Sequence, residues 1–174
     1  MEIERALEWL QSTPIAIAVA ENDVLFPWIE SVHVLAIVLV VGTISIVDLR
    51  LLGVASLDIS ARRLMRDIIP YTWGAFAVAA ITGSLMFSSD AVHYAQNRLF
   101  QAKLVMLVLA GLNMAIFHFF GERDIARWEA PGATPPMAAK AAATISLLAW
   151  ITVVSLGRGT GFTMHYWQDS HGRH

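Results

Sequence analysis

Ser31-Val-His-Val-Leu-Ala-Ile-Val-Leu-Val-Val-Gly-Thr-Ile-Ser-Ile-Val47 runs for 17 residues without an Asp, Glu, Lys or Arg. As a helix with its flanking turns, a run of this length crosses the roughly 30 Å hydrocarbon core of a bilayer. Three more such runs follow: 22 residues from Ile68 to Ser89, 18 from Leu104 to Gly121 and 17 from Ala141 to Gly157. Trp28 precedes the first run, Tyr71 and Trp73 open the second, and Trp150 and Trp167 lie near or beyond the end of the fourth. Aromatic side chains with a polar edge anchor at the membrane interface. The pattern predicts an all-α integral membrane four-helix bundle, with spans at about 29–52, 68–89, 99–120 and 138–157.

Composition agrees with that reading. The 174 residues are 56% hydrophobic, against about 45–50% in an ordinary soluble chain, and are expected to form one transmembrane domain over 1–174. A net charge of −2, with basic residues scattered among acidic ones, offers no basic field and excludes nucleic acid as a partner. There is no cysteine, hence no disulfide, thiolate metal site or thioether-linked haem. Any cofactor must be held by His, Lys, carboxylate or packing.

The segment Ile3–Ala20 is interrupted by Glu8 and Pro14 and is too short to cross. Leu7, Trp9 and Leu10, interleaved with Glu2, Glu4, Arg5 and Glu8, predict an N-terminal interfacial helix over about 3–20. Met1-Glu2-Ile3-Glu4 is not the basic start of a cleavable signal. Arg50, Arg62, Arg63, Arg66, Arg123, Arg127 and Lys140 fall on one side of the spans, and Arg5, Arg98, Lys103, Arg158 and Arg173 on the other. That bias predicts a multi-pass membrane protein with both termini outside.

Between the first two spans, Ser60 ahead of Ala-Arg-Arg-Leu-Met-Arg66 can cap a short surface helix before Pro70 opens the second span. Pro131, Gly132, Pro135 and Pro136 make the third connection a loop. Gly157-Arg-Gly-Thr-Gly161 lacks the Lys-Ser/Thr ending and preceding strand of a phosphate loop and reads as a glycine-rich helix stop.

Because successive spans run in opposite directions, each polar residue acquires a depth. Near the outer face lie His33, Lys103, His93, Asn97 and Arg98, followed by Arg158, His165 and His171. Near the inner face lie Asp48, Arg50, His118, Glu122, Arg123 and Asp124. His33 and His118 therefore cannot clamp one haem, since about 15 residues of helix, roughly 22 Å, separate their depths. An outer haem needs His33 with Lys103, His93 or His165, whereas an inner one has His118.

His33 sits inside an apolar run, where an ionisable group is costly and by default functional. Lys103 reads equally as a snorkelling side chain or a cofactor ligand; His93, His171 and His174 read as interfacial side chains. Arg158 is placed to meet a haem propionate. Asp48 and Arg50, two residues apart, point away from each other and need other partners, with His118 and Glu122 as candidates. They form a structural polar knot or, less simply, a quinone or proton site. Asn113 is expected to hydrogen-bond across helices within this second polar site.

His33-Val-Leu-Ala with Gly42, Asp48-Leu-Arg50-Leu-Leu-Gly53 and Phe100-Gln-Ala-Lys103-Leu followed by Asn113 and His118 resemble an uncharacterised family of small four-helix bacterial integral membrane proteins. More distantly, the chain is similar to the HemJ-type protoporphyrinogen oxidases and the CopD-type copper-resistance membrane proteins. The HemJ-type resemblance implies haem binding by a His early in the first span and a Lys opening the third, here His33 and Lys103. His118 lies about a turn beyond that family's tyrosine-histidine pair.

Three functions follow as expectations. The first is a haem b-binding membrane protein moving electrons between haem and a quinone or partner subunit, with His33 and Lys103 on the iron and His165 and Arg158 nearby. The second is a non-catalytic accessory subunit of a larger membrane complex. The third is copper handling at the outer face by His33, His93 and His165, with Met86 and Met164 nearby. No catalytic set is evident, so enzyme activity is left open.

Overall fold

The computed structural model describes residues 2–55, 58–116 and 135–171, with side chains to residue 163. Among these residues the chain is all-helical: α1 (Glu2–Gln11), α2 (Pro14–Glu21), α3 (Leu25–Leu52), α4 (Ala61–Ser89), α5 (Ala91–Gln96), α6 (Arg98–Ile116) and α7 (Met137–His171). The helices α3, α4, α6 and α7 are long and apolar enough to cross a membrane, which makes this a multi-pass membrane protein. Their outward side chains are large and apolar: Leu35, Val38, Ile81, Val108 and Ile151 are all at least 60% exposed. Buried positions are mostly small, among them Ala36, Ala91, Ala110, Ala143 and Ala149. Helices associate this way in lipid, where tails solvate large apolar side chains and small residues allow close approach.

Helix ends follow local chemistry and correct several sequence expectations. The segment expected as one interfacial helix over about 3–20 is two helices. Pro14 restricts Thr13 to extended backbone (φ −69°, ψ 145°). Thr13 then caps α2 by accepting from the Ala16 amide, 3.4 Å away. Asn22 Oδ1 accepts from the Val24 and Leu25 amides at 3.0 and 2.9 Å, so α3 starts at Leu25. It ends at Gly53 (φ 77°) in a Schellman turn, with the Gly53 amide on the Arg50 carbonyl and the Val54 amide on Leu49.

Pro70 does not open a span. It lies inside α4, which runs unbroken from Ala61 because the Ser60 hydroxyl accepts from the Arg63 amide (3.2 Å) one turn into the helix. The glycine-rich segment 157–161 is not a stop either, since α7 continues through it to His171. Its glycines admit neighbours: a methyl group at Gly157 would touch Lys103 Cδ at 3.6 Å, and one at Gly159 would press on Leu99 Cδ1 at 3.1 Å. Of the third connection, only Pro135 and Pro136 are described, directly ahead of α7.

The chain divides into two compact units, one of Met1–Val38, Ala75–Lys103 and Val154–His174 and the other of Leu39–Gly74 and Leu104–Val153. In the first, Asn97 joins α6 to α7: its Oδ1 accepts from the Leu99 and Phe100 amides, and its Nδ2 donates to Thr163 Oγ1 at 2.8 Å. Asp90 joins α1 to the α4–α5 turn by accepting from Gln11 Nε2 (3.3 Å) and pairing with His93 Nδ1 (2.5 Å). In the second, Leu51, Ala61, Met65, Ala139 and Ala143 form a core against which Val47, Leu52 and Ile69 pack. Thr72 donates to Thr43 at 2.9 Å, and Asn113 Nδ2 donates to the Ala142 carbonyl at 3.0 Å.

Candidate functional site

His33 is a half-buried polar side chain on α3, in the first unit. Its Nδ1 lies 2.9 Å from Thr82 Oγ1. The single hydroxyl proton of Thr82 is already directed to the Val78 carbonyl at 2.7 Å, the usual back-bond of a Thr inside a helix. Thr82 therefore accepts, and Nδ1 carries the imidazole proton. The Ala79 carbonyl, another acceptor on the same turn of α4, also faces the ring. This tautomer leaves Nε2 with a free lone pair, the form in which imidazole binds a metal, and a second group fixing the donor nitrogen is the usual companion of such a ligand.

Gly83 makes room for the ring. A methyl group there would stand 2.9 Å from His33 Cε1, 3.5 Å from Nδ1 and 3.8 Å from Nε2. No side chain other than hydrogen fits without displacing the imidazole. Thr82 and Gly83 thus act as a pair, one orienting the ring and the other admitting it.

Lys103 of α6 is half-buried in the same unit, close enough for its charge to be felt at His33. Its stem lies against Gly157, and its Nζ sits 4.7 Å from the centroid of the Phe100 ring. Phe100 stacks on Phe87 (centroids 5.4 Å apart, planes 8° apart) and meets Tyr94 at 5.4 Å. Below Lys103, therefore, is an aromatic cluster drawn from α4, α5 and α6.

Tyr94, on the short helix α5, has its phenol pushed above the ordinary value, first by burial and then by the carboxylates of Asp90 and Glu30. Since the folded value exceeds the unfolded one of about 10, stability tied to the neutral phenol is complete below the unfolded value. It is lost as pH rises through the folded one. Spectrophotometric titration is expected to show a late tyrosinate component that Tyr94→Phe removes. Loss of an early component instead would contradict the burial of this phenol.

The other expected site residues are distributed as follows. Arg158, exposed on α7, lies over the Phe162 ring at 4.7 Å, with no hydrogen bond or ion pair to His33 or Lys103 among the described residues. His165 is on the α7 backbone, but its side chain lies outside the described part, and His118 lies wholly outside it. His93 pairs with Asp90. Among the described residues, no three His, Cys, Asp or Glu side chains converge on a metal position. In the second unit, Asp48 is buried, Arg50 Nε donates to the Ile59 carbonyl at 2.8 Å, and Asn113 bonds the Ala142 backbone.

Sequence reading missed Thr82, Gly83 and the aromatic trio. One signal was present: an isolated glycine inside a helical pattern weakens the helix and needs a packing reason. The family model of DUF6644, a family of unknown function, matches residues 7–163, and the chain belongs to that family. No curated protein and no solved structure matches it.

Proposed function

We propose that this member of the DUF6644 family binds haem b through His33 and Lys103 and moves electrons between that haem and a quinone or a partner subunit. The observation that carries the reading is the His33 imidazole, fixed by Thr82 with its Nε2 lone pair free and sharing a compact unit with Lys103. The residues present suit the group. An imidazole nitrogen is an ordinary haem ligand, and an amine serves when neutral. The stacked Phe87 and Phe100 rings and Tyr94 offer flat apolar surface to a macrocycle. Bound haem supplies a one-electron carrier. The chain supplies the ring orientation through Thr82, the space through Gly83 and a second donor at Lys103, and we assign Arg158 to a propionate. On the bias of its basic residues we place both termini outside, and on its resemblance to small bacterial membrane proteins we assign the chain to the bacterial inner membrane.

The test is the visible spectrum of detergent-purified protein from haem-replete cells, oxidised and then dithionite-reduced. A Soret band that shifts on reduction is expected, with the pyridine haemochrome of haem b. A wild-type protein without any Soret band overturns the reading.

A further inference from the structure

The second unit contains a polar group that the haem reading does not use. Asp48, one turn from the end of α3, is 5% exposed. Among the described residues, Ser146 of α7 is its one hydrogen-bonding side chain and Oδ2 has no hydrogen-bond partner. Among the described residues, the charged groups of the surrounding elements lie in other contacts or on the surface. On α3, Arg50 turns to the Ile59 carbonyl. On α4, Arg63 and Arg66 pair with Asp67 at 3.8 Å on an exposed surface, and Arg62 has contacts of its own. Asp58 is exposed in the α3–α4 connection. The described part of α6 in this unit, Leu104–Ile116, has no charged residue, and Lys140 is the charged residue of α7 in this unit; His118 and Glu122 lie outside the described residues. Asn113 is committed to the Ala142 carbonyl.

Among the described residues, a carboxylate in such a place is an intramembrane charge without a paired cation and with one oxygen unpartnered, which is costly. A single proton removes that charge, and the carbonyl oxygen of a neutral acid tolerates a missing partner far better than a carboxylate oxygen does. An ionisable residue inside a membrane span is by default read as functional, with proton relays among the roles it takes. We propose that Asp48 is a proton-binding site, a carboxylic acid held by Ser146 that exchanges its proton with water. The step breaks the carboxyl O–H bond, leaves its electron pair on the carboxylate oxygen and passes the proton to a lone pair of water, with no change of oxidation state. It is independent of haem.

Infrared spectra of the full-length protein in lipid vesicles, recorded across a pH series, test it. A protonated-carboxyl C=O band is expected in the wild type at low pH, lost as pH rises and absent from Asp48→Asn. If Asp48→Asn does not fold, Ser146→Ala removes the hydroxyl and keeps the acid, and must shift the same band. Any of three outcomes overturns the proposal: no such band at any pH, a band indifferent to both pH and Ser146→Ala, or a band abolished by sodium at constant pH. The last would make the site one for a metal cation instead.

Discussion

On the proposed haem reading, Gly83→Ala is expected to reduce haem content to background, as His33→Ala is, although it adds only a methyl group. The methyl would lie 2.9 Å from His33 Cε1, closer than carbon atoms tolerate. The imidazole must therefore swing away and give up its 2.9 Å bond to Thr82. Overpacking of this kind costs about 1–3 kcal/mol, measured as a lowered midpoint of denaturant unfolding in detergent. The effect should vanish in a His33→Ala background, where the space is empty. There the same substitution replaces a helix-interior glycine by alanine, which favours the helix by up to about 1 kcal/mol. A change of sign between the two backgrounds is a coupling that only direct contact explains. Equal destabilisation in both would show that Gly83 serves the helix packing and not the histidine, whatever the haem content.

The spans were legible because charge-free runs of sufficient length have few other uses. The helix ends were less so, and prolines show why. Pro14 begins a helix where the sequence suggested an interruption inside one, and Pro70 lies within a helix where the sequence suggested a start. The difference is in what precedes them. Thr13 has a side chain able to cap and breaks from Gln11 through Ser12. Pro70 follows Ile68 and Ile69, which cannot cap, and Ser60 has already done so ten residues earlier. Glycines mislead in the same way. Gly53 ends α3 at positive φ, as expected of a helix stop, but Gly157 and Gly159 face Lys103 and Leu99 inside α7. From sequence alone, a glycine that turns the chain and one that admits a neighbour look alike.

The candidate site was half legible for a related reason. His33 and Lys103 stand out because ionisable groups are rare in apolar runs. Thr82 and Gly83 do not, since a threonine satisfied by its own helix and a small residue are what any membrane helix contains. Only the packing of α3 on α4 within the first unit gives them a meaning.

Thr82→Val tests that meaning most directly. Valine matches threonine in shape but removes the acceptor of the Nδ1 proton, while the Val78 carbonyl loses a bond it does not need within the helix. The imidazole is then free to take the other tautomer or turn within the space left by Gly83. Loss of such an orienting partner typically weakens a ligand's metal site about 10–100-fold. Haem titration into apoprotein is expected to show that weakening, with a midpoint potential displaced from the wild type and the unfolding midpoint little changed. Thr82→Ser keeps the hydroxyl and should restore both affinity and potential. If Val and Ser behave alike, Thr82 only fills space, and the tautomer of His33 is set by the Ala79 carbonyl alone.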